Sequence, residues 1–175
     1  MSFRFRFAIR DDIAAIHALV ESAYRGDAAR IGWTHEADLL DGQRTDPDAL
    51  AELLRDPDQR MILAETDDDI AGCVAIERKS PDAAYLGMLT VRPDWQARGL
   101  GRLLMAEAEM TARALFDADA IEMTVIRQRG ELIAYYERRG YCRTGEARPF
   151  PYGDTRFGVP RTDALAFVVL AKPLR

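Results

Sequence analysis

Asparagine is absent from the chain, and cysteine and histidine occur only twice each in 175 residues. Cys73 and Cys142 lie far apart in sequence and outside any CxxC or His/Cys cluster. That excludes the usual structural zinc site, and no metal is expected. Each cysteine falls in a strand-like run and reads as a buried, reduced thiol. No apolar stretch approaches the ~20 residues that a membrane-spanning helix needs. Residues Met1 to Phe7 alternate apolar and basic side chains, where a secretory leader would be continuously apolar. A cytoplasmic chain with no membrane partner is the simplest expectation. The formal charge is −5, with acids and bases interspersed. A phosphate-backbone partner needs a basic surface, so nucleic acid is not expected. An acidic chain would suit a cationic acceptor, as it would suit many unrelated partners.

What is present is the composition of a folded protein, 48% hydrophobic and 30% charged. The length predicts one domain over residues 1–175, large enough to bury a core. Residues 3–9 alternate as a strand, with Phe3, Phe5 and Phe7 on one face. Asp11 and Asp12 then offer caps for a helix carrying Ile13, Ile16, Val20 and Tyr24 at helical spacing. Thr34 is placed to cap a short helix through Leu40, with Gly42 just past its end. Asp46-Pro47 is a clearer start, a cap followed by proline at the first helical position, for a helix to about Arg55.

Three strand-like runs follow, at Met61–Ala64, Ile70–Ile76 and Ala84–Val91, and their short connections imply antiparallel hairpins. A helix is expected from about Gly99 to Leu115, with Leu100, Leu104, Ala108, Thr111 and Leu115 on one face. A strand at Ile121–Ile126, a helix at Glu131–Arg139 ended by Gly140, a strand from Tyr141 to Thr144, a loop from Gly145 to Arg161 and a last strand at Ala164–Leu170 complete the chain. Segregated hairpins followed by a β-α-β crossover predict an α/β protein of the α+β type. Its central sheet is mixed, with helices on both faces.

The sharpest motif is Val91-Arg92-Pro93-Asp94-Trp95-Gln96-Ala97-Arg98-Gly99-Leu100-Gly101-Arg102. A strand ends at a proline turn, and a loop with glycines two apart enters a helix. Unpaired N–H groups and the dipole make a helix N-terminus a site for anions. Gly99 and Gly101 present no side chain to obstruct a phosphate, and Arg98 and Arg102 can add charge beside it. A tight strand-to-helix turn needs the same glycines. A Rossmann loop also spaces glycines this way, but it lacks its third glycine here and does not follow the first strand of a parallel set.

Taken with Ile9-Arg10 entering the first helix and Tyr136-Glu137-Arg138-Arg139-Gly140-Tyr141 near the end, this motif resembles the GNAT superfamily of N-acetyltransferases. The resemblance extends over roughly the whole chain and implies a mostly antiparallel sheet of about seven strands. It implies an acetyl-CoA-dependent N-acetyltransferase, with acetyl-CoA as co-substrate. The acceptor would be a primary amine on a small molecule or peptide, attacking directly through a tetrahedral intermediate. Backbone N–H groups of Gln96, Ala97, Arg98, Gly99, Leu100, Gly101 and Arg102 would hold the pyrophosphate. Leu89, Thr90 and Val91 would line the pantetheine and acetyl group, on a strand that bulges and splays from its neighbour. Tyr136 matches the tyrosine that lies by the sulfur, where it would hydrogen-bond the departing thiolate; packing on Leu132 and Ile133 is its structural alternative. Tyr135 points elsewhere on the helix.

Many relatives carry an asparagine about seven residues before this tyrosine, at a position that is Arg129 here. The general base is not identified by the motif. Glu36, Asp38 and His35 lie in the segment that borders the acceptor in relatives, and Glu36 is the candidate carried forward. His17 reads as a core-edge residue. Trp33, Phe150 and Tyr152 are either an acceptor wall or loop anchors. Relatives are commonly dimers, so a homodimer is among the partner states the resemblance allows. Two rival readings remain, a non-catalytic acyl-CoA-sensing module and a protein that binds a different nucleotide on the same loop.

Overall fold

The computed structural model describes residues 2–67 and 69–175. Strand β1 (Arg4–Phe7) leads through one 3-10 turn into helix α1 (Ile13–Tyr24). Asp12 precedes α1 but does not cap it. Its carboxylate accepts from Arg6 at 2.7 and 2.9 Å and from the Ile9 N–H at 2.8 Å. A short helix α2 (Gly26–Ala29) and a two-residue strand β2 (Leu40–Asp41) come next.

The expected helix from Thr34 to Leu40 does not form. Thr34 Oγ1 accepts from Arg129 Nη2 at 2.5 Å, and the Glu36 carboxylate is held by Arg25 and Arg129. The side chains that would cap a helix are committed to partners distant in sequence, and the segment runs in turns. Helix α3 (Pro47–Arg55) starts where its signal placed it, with Asp46 accepting from the Ala49 N–H at 2.8 Å.

Strands β3 (Gln59–Glu65), β4 (Ile70–Ser80) and β5 (Ala83–Val91) form an antiparallel meander. Helix α4 (Leu100–Phe116) then crosses to β6 (Ala120–Ile126), which pairs parallel with β5. Helix α5 (Gly130–Glu137), β7 (Cys142–Pro149), the two-residue β8 (Val159–Pro160) and β9 (Ala166–Pro173) complete the order. Seven strands make one sheet, β1-β3-β4-β5-β6-β9-β7, while β2 and β8 pair separately. The sheet is thus mixed and mostly antiparallel, as expected.

Its two faces have different covers. Ile62 and Ala64 of β3 join the core built with Leu100, Leu104 and Ala108 of α4. Met61 and Leu63 pack with Ile16 and Val20 of α1 and Leu50 of α3. Burial on both faces explains the unbroken apolar run of β3. The α4 stripe differs from the expected one beyond Ala108. It continues through Ala112 and Phe116, and Leu115 is exposed, because the helix packs along one uninterrupted row of four-residue steps.

β7 extends to Pro149, through what reads as loop. Nearly every side chain on it is exposed, so no apolar alternation marks it. On that strand Cys142 is exposed, not buried; only Cys73 is a core thiol. Among the described residues no helix is long and apolar enough to cross a membrane.

Between β5 and β6 the sheet opens. The two strands pair only from Ala83–Tyr85 to Ala120–Glu122 and then separate. Met88, at φ 51°, forms a bulge where the β4–β5 register breaks. The later halves of β5 and β6 therefore border a gap in the middle of the sheet.

Candidate active site

The gap opens onto the loop that follows β5. Pro93–Trp95 make one turn of 3-10 helix, and the chain then enters α4 through two left-handed residues, Ala97 at φ 60° and Gly99 at φ 86°. The Gln96 N–H turns back to Pro93 O at 3.4 Å, and the first helical bond runs from the Leu103 N–H to Gly99 O at 3.2 Å. Among the described residues, no acceptor in the chain takes the N–H groups of Ala97 through Arg102. Consecutive unpaired donors at a helix N-terminus are the setting in which anions bind. The space beside Gly99 is open, with no atom within 4 Å of where a Cβ would stand. The donor set and this open floor fit a pyrophosphate.

A cleft of about 190 Å³ lies over this loop. Leu89, Thr90 and Val91 form one wall, and Gln96, Ala97, Gly99, Leu100 and Gly101 form the floor. Arg98 and Arg102 are exposed and outside the lining; the Arg98 guanidinium lies 5.3 Å from the Trp95 ring centroid. Helix α5 supplies the opposite wall. Tyr135, read as pointing elsewhere, lines this cleft with Trp33, their ring centroids 5.4 Å apart. Its hydroxyl would meet a Cβ on Gly101 at 2.8 Å, so Gly101 is needed for close approach. Arg139 also lines the cleft, its guanidinium 3.4 Å from the Tyr135 ring centroid. Arg139 carries no sequence signal beyond its place one residue before the Gly140 turn.

On the other side of the gap is a second cavity of about 280 Å³, walled by Met88, Met123 and Val125. The two cavities share Tyr24, Leu89, Arg129, Leu132 and Tyr136. Tyr136 is thus one of five residues that border both cavities. It is 6% exposed and makes edge contacts with Tyr135 and Tyr141. Burial, and then the nearby Tyr24, push its phenol well above the usual range, against a smaller opposing pull from Arg129. It stays protonated at physiological pH and so keeps a proton to donate. The Tyr24 hydroxyl donates to Leu89 O at 2.5 Å, pinning the bulged strand from the second cavity's side.

Glu36 is buried at the edge of the second cavity. Its Oε2 accepts from Arg25 Nη1, and its Oε1 accepts from Arg129 Nη1 at 3.1 Å. Burial pushes its carboxyl up, but Arg129, Arg44 and Arg25 together outweigh that and hold it below the usual range. A carboxylate so held is a poor proton acceptor. Asp38 pairs with Arg30 at the surface, and His35 Nδ1 accepts from the Ala37 N–H at 3.2 Å; neither lines a cavity. Phe150 packs with Leu40, Ile126 and Leu165, and the Tyr152 hydroxyl donates to Thr162 O at 3.0 Å. Both are loop anchors, and of the three aromatics only Trp33 faces a cavity. Among the described residues no three His, Cys, Asp or Glu side chains gather as a metal site.

A family model described as an acetyltransferase (GNAT) domain matches residues 33–150. Solved structures share the fold. Nourseothricin acetyltransferase is 22% identical with a TM-score of 0.70, covering 100% of both chains. The ribosomal-protein-S18-alanine N-acetyltransferase from Escherichia coli is 16% identical with a TM-score of 0.70, covering 99% of this chain and 94% of its own. The protein yncA from Salmonella typhimurium, solved with its cofactor acetyl-CoA, is 18% identical with a TM-score of 0.71, covering 100% of this chain and 95% of its own. At these identities the likeness is one of fold. No curated protein matches the sequence.

Proposed function

The chain belongs to the GNAT acetyltransferases, and from that premise we propose that it moves the acetyl group of acetyl-CoA directly to a primary amine through a tetrahedral intermediate. The observation that carries this reading is the meeting of two cavities at Tyr136, one over a pyrophosphate-sized set of free N–H groups and one open to an acceptor. The Ala97–Arg102 N–H groups would hold the pyrophosphate, with Arg139 beside them. Leu89, Thr90 and Val91 would line the pantetheine arm, and the strand amides of β5 would meet the developing oxyanion.

Acetyl-CoA supplies an activated thioester when bound; the residues supply position and protons. An alkylammonium has a pKa of about 10.4, so presenting it neutral at pH 7 costs roughly 4.6 kcal/mol. Glu36 is too well neutralised by arginines to take that proton, and we assign it to positioning Arg25 and Arg129. The proton leaves through water at the open end of the acceptor cavity. Tyr136 donates a hydrogen bond to the departing thiolate. Full proton transfer is uphill, since its phenol is raised above its ordinary value of about 10 while a thiol lies near 8.5.

Thiol release from acetyl-CoA across a panel of primary amines tests the reading. Release that depends on the amine, with the amine recovered as its amide, is the expected result. Binding of acetyl-CoA with no transfer to any amine would favour a sensing module instead.

A further inference from the structure

The second cavity is lined by two arginines, Arg44 and Arg129, together with Glu36 and Glu77. Arg25, Arg44 and Arg129 surround a single buried carboxylate, Glu36, and each lowers its pKa. Glu36 gives one oxygen to Arg25 and one to Arg129, so both of its oxygens are taken. Arg44 lines the same cavity with its guanidinium 5.2 Å from the Tyr24 ring centroid, and among the described residues no carboxylate lies within ion-pair distance of it. The neighbouring Glu21 is turned to the backbone, where Oε1 accepts from the N–H groups of Arg44 and Thr45 at 2.7 and 2.9 Å. Glu77 is exposed at the far rim. The opposite walls, at Leu86, Met88, Met123 and Val125, are apolar.

A half-buried guanidinium without a counter-charge is costly unless a ligand brings one. Its planar fork matches a carboxylate with two parallel hydrogen bonds.

We propose that the acceptor is a primary amine that also carries a carboxylate, an apolar α-amino acid, with Arg44 binding the carboxylate and Arg129 beside it. The inference rests on the acetyl-transfer reading only for which end of the acceptor reacts. The apolar walls and the cavity volume of about 280 Å³ suit a side chain of the size of leucine, methionine or phenylalanine.

The test is calorimetric titration of the CoA-saturated protein with leucine, methionine and phenylalanine, each against its own amide. The amide keeps the amine and the side chain but removes the anion. At least one acid is expected to bind tighter than its amide by about tenfold or more, the scale of a charge-assisted hydrogen bond. Arg44→Gln should bring that ratio near one, and Arg44→Lys should keep part of it. Binding by none of the acids, amides that bind as tightly as acids, or an Arg44→Gln protein that keeps the preference would each overturn the proposal. Preferred binding of acids with no thiol release would instead overturn acetyl transfer and leave this inference standing. Equal thiol release with amides and acids would do the reverse.

Discussion

The backbone N–H of Trp33 donates to the side-chain oxygen of Gln96 at 3.0 Å, which joins the segment after α2 to the loop before α4. The same carboxamide donates from Nε2 to Val91 O at 3.1 Å, tying both to the end of β5. Gly32 lies against it so closely that a Cβ would fall 2.4 Å from Gln96 Oε1. One side chain thus fixes three segments around the cleft. Gln96→Ala removes two hydrogen bonds worth about 1 kcal/mol each. Amide exchange in residues 31–36 is then expected to accelerate by roughly tenfold through local opening, with little change in the exchange of the sheet. Unchanged exchange in that segment would mean the carboxamide does not hold it.

Under the proposed mechanism, Tyr136→Phe removes the hydrogen bond to the leaving thiolate. Turnover is expected to fall by roughly 10²-fold, the scale of a positioned proton donor. The affinity for CoA should change little, because the ring still packs on Tyr135 and Tyr141. A variant with wild-type turnover would remove Tyr136 from the chemistry.

Glu36→Ala leaves Arg25 and Arg129 buried without their counter-charge. A loss of about 3 kcal/mol in unfolding free energy is expected from urea melts. The pH dependence follows from the lowered pKa of Glu36. A carboxyl whose folded pKa lies below its unfolded value of about 4.3 stabilises the protein above that pH. The contribution disappears as pH falls through the folded pKa. Wild type and Glu36→Ala should therefore differ in stability at pH 7 and converge below about pH 4. The acidic limb of the rate profile should not report Glu36 between pH 5 and pH 8.

The two cysteines differ in reactivity. Burial pushes the Cys73 thiol up to about 12, and Cys142 is exposed on β7. Only the thiolate is nucleophilic. Iodoacetamide at pH 8 is expected to modify Cys142 in the native protein and Cys73 only after unfolding, read by intact mass and peptide mapping. Equal native labelling would contradict the burial of Cys73.

Local signals made most of the fold legible. Asp46-Pro47 fixed the start of α3, and the apolar runs of β3 to β5 fixed three strands because both of their faces are buried. The loop entering α4 was readable because a left-handed turn at Gly99 and the close approach of Tyr135 at Gly101 demand glycine. What was not legible depends on contacts between distant residues. Thr34 carries a cap-like residue type, but its partner is Arg129, distant in sequence. The β2–β8 pair joins two segments with no strand pattern of their own. Tyr135 and Tyr136 are adjacent and chemically alike, and only packing against Trp33 and Gly101 shows that both face the cleft.

The central claim is that the free N–H groups from Ala97 to Arg102 hold the pyrophosphate of acetyl-CoA, with its thioester reaching Tyr136. Calorimetric titration of the wild-type chain and of Gly99→Val with acetyl-CoA, with ATP as a control, tests it most directly. Valine at φ 86° is strained by about 1–2 kcal/mol and stands in the open floor of the phosphate site. The account predicts saturable binding of one acetyl-CoA to the wild type, much weaker binding of ATP, and acetyl-CoA affinity reduced by about tenfold or more in Gly99→Val. No heat with acetyl-CoA at high concentration, or undiminished affinity in the variant, would contradict it.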